Sequence, residues 1–301
     1  MCLNFKPISE NDIETISYYF KLRSNKTCDS VFLDAYLWKD FYNVKFAIWE
    51  DKALLITMVI SGETYCALPF CKEEYITDAF NVLLEYFNNT LNKKLKVYLA
   101  DEEGLNALNL DRNLFDIIDI EDAKDYLYLA ENLRNLTGKK LRKKKNHINA
   151  FLRENEGNFY YKTLCCQSSD IILEFLNNWR DNKNGEAEDQ LDGEIQGITD
   201  ILENCNALNV IMAGIFVNDK LEAFSIGSYN ELEKMAIIHI EKANPNIRGL
   251  YPYINQQFII NAFPDAYLVN REDDLGLEGL RKAKLSYDPV GYARKYRVIQ
   301  L

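Results

Sequence analysis

Histidine is nearly missing from this chain: there are two in 301 residues, His147 and His239. Neither sits in an H-E-x-x-H run or beside cysteines at ligand spacing, so no metal centre is expected. Phosphate loops are missing as well. Gly138-Lys139 lacks the glycine that a P-loop has five positions earlier, where Leu133 stands, and no G-x-G-x-x-G occurs. The nearest approach to a nucleophile elbow, Ala223-Phe224-Ser225-Ile226-Gly227, lies in a run that reads as a hairpin strand rather than a strand-to-helix turn. Direct transfer within a pocket is therefore expected ahead of covalent hydrolysis.

Long apolar stretches are also wanting. The longest, Val210 to Val217 with Gly214 counted in, falls far short of the roughly 20 residues that span a bilayer. No basic and apolar leader opens the sequence, and the seven cysteines are odd in number and without a C-x-x-C, so a reduced, cytoplasmic location is expected. Bases are in deficit: 35 against 46 acids leave a net charge of −11. Such a balance excludes a protein that coats nucleic acid or an anionic membrane with its whole surface, and any such contact must be local.

What is present is ample apolar material, 48% of the residues, in a chain long enough for two packed cores. Helical spacing marks 9–23 and 30–39, followed by strands Val44–Glu50, Ala53–Ile60 and Glu63–Leu68, a helix 72–88, a strand Lys96–Leu99 and a short helix near 102–109. The second half repeats that order. Helices at 170–181 and 192–205 precede strands Asn209–Val217, Leu221–Ser228 and Lys234–Glu241, then a helix 249–262, a strand Ala266–Val269 and a helix 275–285. An Asp-Lys turn joins two apolar strands in each half, at Asp51-Lys52 and Asp219-Lys220. This order predicts an α/β fold with mixed sheets, built by duplication of one unit: a first domain over 1–130, a connecting basic helix in 131–157 and a second domain over 158–301.

The connecting helix carries the sharpest departure from the acidic background. Lys139, Lys140, Arg142, Lys143, Lys144 and Lys145 are six bases in seven residues, and an apolar stripe of Leu141, Ile148, Phe151 and Leu152 places the helix on the surface of the fold. These bases could hold an RNA backbone, with His147, Tyr126 and Tyr128 offering rings for stacking. A solvated helix face is the plainer alternative.

Antiparallel apolar strands, a helix entered through Gly249, then a further strand and helix resemble the core order of the GNAT acyltransferase fold. Two blocks narrow the likeness. Lys139–Phe151, reading KKLRKKKNHINAF, and Asn270–Tyr287, reading NREDDLGLEGLRKAKLSY, resemble segments of the family that carries the C-terminal domain of phosphatidylglycerol lysyltransferases. That family is similar in turn to the Fem peptidyltransferases, with two GNAT-like units in tandem. The resemblance covers nearly the whole chain and implies a transferase that takes an aminoacyl group from tRNA and delivers it to an amine, hydroxyl or peptide acceptor. It does not extend to the membrane-spanning part of the lysyltransferases.

Within that frame the candidate residues fall in the second half. Arg248-Gly249-Leu250-Tyr251 matches the turn where acetyl-CoA enzymes cradle a pyrophosphate, but Tyr251 replaces a small residue, so acyl-CoA is the disfavoured donor and no cofactor is expected. His239 and Glu241 alternate along a strand and are expected on one face as a general-base pair. Asn270, Arg271, Glu272, Asp273 and Asp274 follow a strand at its carboxyl end, where α/β folds place ligands. Arg248 or Arg271 could meet developing negative charge, and Asp273 or Asp274 could hold a substrate ammonium, although Asp274 also suits a helix cap. Tyr287 and Tyr292 are candidate general acids.

Overall fold

A computed structural model describes residues 3–181 and 188–301. The chain forms two compact units, one of residues up to Asp125 together with Ala293–Leu301, the other Tyr126–Tyr292.

The first unit contains strands β1 (Lys6–Pro7), β2 (Lys45–Trp49), β3 (Ala53–Ile60), β4 (Glu63–Cys66), β5 (Phe70–Cys71), β6 (Lys96–Asp101) and β7 (Phe115–Asp119), with helices α1 (Ile13–Phe20), α2 (Phe32–Leu37), α3 (Ile76–Glu85) and α4 (Glu102–Leu108). In the second sheet and around it lie β8 (Asp125–Leu129), β9 (Phe159–Leu164), β10 (Ile211–Val217), β11 (Lys220–Asn230), β12 (Met235–Ala243), β13 (Leu268–Asn270) and β14 (Gly291–Ala293). Its helices are α5 (Ala130–Asn135), α6 (Arg142–Glu154), α7 (Ser169–Asp181), α8 (Glu188–Glu203), α9 (Cys205–Leu208), α10 (Leu250–Ala262) and α11 (Glu278–Leu285). A last strand, β15 (Lys295–Gln300), returns to the first sheet.

The sheets follow one plan. Their orders are β1-β2-β3-β4-β6-β15-β7, with β5 on β3, and β9-β10-β11-β12-β13-β8-β14. In each, antiparallel strands are followed by a crossover through one helix, α3 or α10, into a parallel neighbour: β4 beside β6 and β12 beside β13. Even the hairpin turns correspond. Glu50 and Asp51 in one, Asn218 and Asp219 in the other, all have positive φ, the pattern of a type I′ turn whose twist matches that of the strands. This is the mixed α/β duplication expected from the sequence.

The boundaries differ from that expectation. β15, expected in the second domain, lies between β6 and β7, and β8, expected inside 1–130, pairs with β13. Each sheet thus takes one strand that is remote in sequence, which local periodicity cannot reveal. Nor is 131–157 merely a connector: Leu141, Ile148 and Phe151 of the α6 segment are buried with Ile215, Leu250 and Ile254 in a core of the second unit, while Leu152 stays exposed. Tyr126 and Tyr128 are buried as well, beside Phe258 and Val269, so their rings are closed to base stacking. Cys166 and Cys205 stand side by side, their Cα atoms 5.7 Å apart and within disulfide reach. Among the described residues no helix is long and apolar enough to cross a membrane.

Candidate active site

The parallel pairing of β12 with β13 extends over only three residues, Met235–Ile237 against Leu268–Asn270. Beyond it β12 continues to Ala243 while the segment after β13 parts from β12, stays bonded to Tyr126 of β8 through the Arg271 N–H and the Glu272 carbonyl, and runs on as the loop 271–277. Two polar pairs join the diverging segments: Arg271 Nη2 donates to Glu241 Oε1 at 2.9 Å, and His239 Nδ1 lies 2.9 Å from Glu272 Oε1.

These pairs do not share a face. The register of β12 against β11 shifts by one, with Ile226 opposite Ile240 but Gly227 opposite Ile238, so His239 is an extra, bulged residue. An inserted residue reverses the alternation beyond it. Glu241 therefore stands opposite Ser225 and accepts from Asn255 Nδ2 of α10 at 2.7 Å, whereas His239 reaches Ser228. Ser225 and Ser228 are three residues apart on one strand and so point to opposite sides. The expected His239–Glu241 pair is thus split between the two faces of the sheet, a correction that the bulge explains.

On the Glu241 side the site is cationic and aromatic. The Arg271 guanidinium is 4.6 Å from the Tyr287 ring centre and 5.9 Å from that of Tyr128. Burial opposes its charge, but Glu241 and the two phenols outweigh that and keep it ionised. One of its nitrogens, Nη1, is buried with no partner among the described residues, as is Ser225 Oγ. Lys144 brings a second cation, its Nζ 4.0 Å from the Tyr287 ring centre. Burial, then the nearby Arg271, pulls the Lys144 ammonium down to about 8. Tyr287 is itself buried, and burial pushes its phenol well up, so it can donate a proton but holds it firmly. Tyr292 is more exposed, its ring edge-on to Tyr126.

The acids of the loop are engaged elsewhere. Asp274 is 1% exposed and takes two hydrogen bonds from Arg281, at 2.7 and 2.9 Å, with a third from the Tyr126 hydroxyl at 2.5 Å. Burial alone would raise its pKa, but these donors and the Gly276 N–H bring it to about 2. Asp274 is therefore a loop latch, and it is not the helix cap either, because α11 begins at Glu278 behind Leu277. Asp273 accepts from the Leu275 N–H, and buried Asn270 accepts from the Glu272 N–H. Of the two acids expected to hold a substrate ammonium, Asp274 is thus committed to Arg281 and Tyr126, and Asp273 lies at the surface of the loop.

Around Gly249 the reading also changes. Its φ is +81°, and a Cβ there would lie 2.0 Å from the His147 carbonyl oxygen of α6. The bare backbone thus admits the close approach of a neighbouring helix. Tyr251 accepts a hydrogen bond from Trp179 Nε1 at 3.3 Å, and Arg248 is largely exposed, 3.8 Å from Glu154. None of the three meets Arg271. Gly249→Ala is expected to destabilise the protein by about 2 kcal/mol or more, through the positive φ and the collision with α6 together, measured as a lowered urea midpoint.

Lys139, Lys140, Arg142, Lys143 and Lys145 are exposed, with Lys140 2.7 Å from Asp288, and His147 is half-buried. Lys144 alone among the bases turns inward. Its role was not readable from a run in which all six bases look alike, though a position between the stripe residues Leu141 and Ile148 was a signal. Asn255 was missed because nothing local marks an amide on a buried helix.

The family model described as phosphatidylglycerol lysyltransferase, C-terminal, matches residues 20–299. A conserved protein of unknown function from Bacteroides thetaiotaomicron VPI-5482 is 26% identical and superposes at a TM-score of 0.92, with all of both chains covered. L-PGS from Bacillus licheniformis is 13% identical, at a TM-score of 0.67 over 95% of this chain and 91% of that one. FemX is 9% identical, at 0.56 over 99% of this chain and 97% of the other. The last two share the fold.

Proposed function

The chain belongs to the phosphatidylglycerol lysyltransferase C-terminal family, and from that premise we propose that it moves an aminoacyl group from an aminoacyl-tRNA to an amine or hydroxyl acceptor. Family and fold support a transferase. One observation carries the finer reading. The helix whose exposed bases suit an RNA backbone also sends Lys144 to the Arg271–Tyr287 cluster, so a held acceptor stem and a reacting ester would be neighbours.

In this reading the acceptor attacks the ester carbonyl. As its N–C or O–C bond forms, its proton passes to the neutral amine of Lys144, and the tRNA ribose oxygen leaves with a proton returned from the same group. Arg271 offers its unpartnered Nη1 to the negative charge developing on the carbonyl oxygen. Glu241, fixed by Arg271 and Asn255, orients the guanidinium and is not the base. Tyr251 in place of a small residue speaks against an acyl-CoA donor, and micromolar binding of CoA esters would revive it.

Incubation with charged, labelled tRNA and a cell extract tests the reading; label should move only when the protein is present. Changing both Lys143 and Lys145 to alanine should weaken tRNA binding and flatten its log–log salt dependence by about 0.7–0.9 for each phosphate no longer neutralised. The transfer rate should climb with pH and level off above about 8, as Lys144 loses its proton. Lys144→Met should remove that rise. A protein that binds no tRNA, or a pH profile unchanged by Lys144→Met, would sink the proposal.

A further inference from the structure

The opposite face of the same sheet holds a second arrangement that aminoacyl transfer does not use. Ser228 Oγ is 2.7 Å from His239 Nε2, and His239 Nδ1 is 2.9 Å from Glu272 Oε1. A carboxylate only accepts, so with the neutral ring Nδ1–H donates to Glu272 and Nε2 accepts from the serine hydroxyl. We propose that Ser228 is a nucleophile, that His239 is its general base and that Glu272 is the positioning residue, forming a site that cleaves small activated acyl esters.

Two local irregularities converge on this chain of contacts. Alternation from Ile237, which stands opposite Ser228, keeps the His239 ring on the side where Ser228 points, and the bulge turns Glu241 to the other face, leaving His239 to Ser228 and Glu272. Glu272 has φ +57°, in the left-handed region that a glutamate rarely adopts, and its N–H is held by the Asn270 side chain at 2.7 Å. Strain of that kind persists where surrounding contacts over-determine it, as here, with the carboxylate on the imidazole. Burial is graded to suit: the His239 side chain is fully enclosed, Glu272 is 21% exposed, and Ser228 is the half-buried end.

The step balances. Ser228 Oγ bonds to the acyl carbon while its proton passes to His239 Nε2. The carbon–oxygen bond to the alcohol then breaks, and the alcohol departs with that proton. Water repeats the sequence on the seryl ester, releasing the acid and restoring the hydroxyl.

A fluorophosphonate probe, followed by peptide mass mapping, tests the assignment independently of tRNA. The expected result is one adduct, on Ser228, absent in Ser228→Ala and formed at least about a hundredfold more slowly in His239→Gln. Glu272→Gln should slow it by tenfold or more while the thermal midpoint stays close to that of the parent. Circular dichroism identifies any variant that fails to fold, and Ser228→Ala with an unchanged spectrum then decides the matter by its loss of p-nitrophenyl acetate hydrolysis. An unlabelled Ser228 in the parent protein, labelling as fast in folded His239→Gln, or hydrolysis undiminished in Ser228→Ala would overturn the proposal. None of these outcomes touches the Arg271 site, so either reading can fail alone.

Discussion

Lys295→Met is expected to destabilise the protein by about 3–5 kcal/mol, the usual effect of leaving a buried charge without its partner. Lys295 is 1% exposed, with Nζ 2.8 Å from Asp125 Oδ1, 2.9 Å from Asp29 Oδ2 and 3.2 Å from Cys28 Sγ. Asp125 is wholly buried and also accepts from the Cys28 N–H at 2.6 Å. Burial, then the charges of Asp125 and Asp29, pushes the Cys28 thiol well up, so the sulfur is no substitute anion. Cys28, Asp29 and Asp125 would pass for a metal site by composition, but the ammonium already stands among them. Thermal unfolding should show the loss as a drop of roughly 10 °C or more. Coupling Lys295→Met to Asp125→Asn should recover much of it, because removing both charges leaves less to compensate; a double variant as unstable as the single one would contradict this account.

Arg271→Lys should lower aminoacyl transfer by about 10²–10³-fold with little change in the thermal midpoint. The lysine keeps one charge for Glu241 but loses the second donor, and an oxyanion-type donor carries about that much of a rate. Single-turnover measurement with saturating charged tRNA isolates the effect on the chemical step. If the variant transfers at the parent rate, Arg271 serves only to hold Glu241 and Tyr287 in place, and the proposed mechanism loses its electrophilic group.

The fold was readable wherever the information is local. Apolar alternation located β2, β3, β10, β11 and β12 to within two or three residues, and the Asp-Lys turns marked the paired hairpins. β7, β8, β9 and β15 were missed, since exposed or mixed positions such as Ile118, Tyr160 and Arg297 blur their alternation and three of them, β7, β8 and β15, pair with strands far away in sequence. The site was half readable. Arg271, Glu241 and His239 were named from the sequence, the last two as a pair alternating along a strand, but the insertion of one residue at His239 reverses a face, and no pattern of side chains announces it. Asp274 misled because a carboxylate that latches a loop looks the same in sequence as one that greets a ligand. Only Arg281, seven positions on, and Tyr126 reveal which it is.

The place of β15 between β6 and β7 bears on how the molecule is made. During synthesis the first sheet has an open seam from the time β7 leaves the ribosome until residues 293–301 follow, the whole second unit later. Until then the edges of β6 and β7 present unpaired amides and carbonyls, a template for pairing with another chain. Val298, wholly buried once docked, supplies part of the core that the early half lacks. The first sheet therefore closes only after the second unit has been made, and a nascent chain released short of residue 295 should be a substrate for chaperones rather than a folded domain.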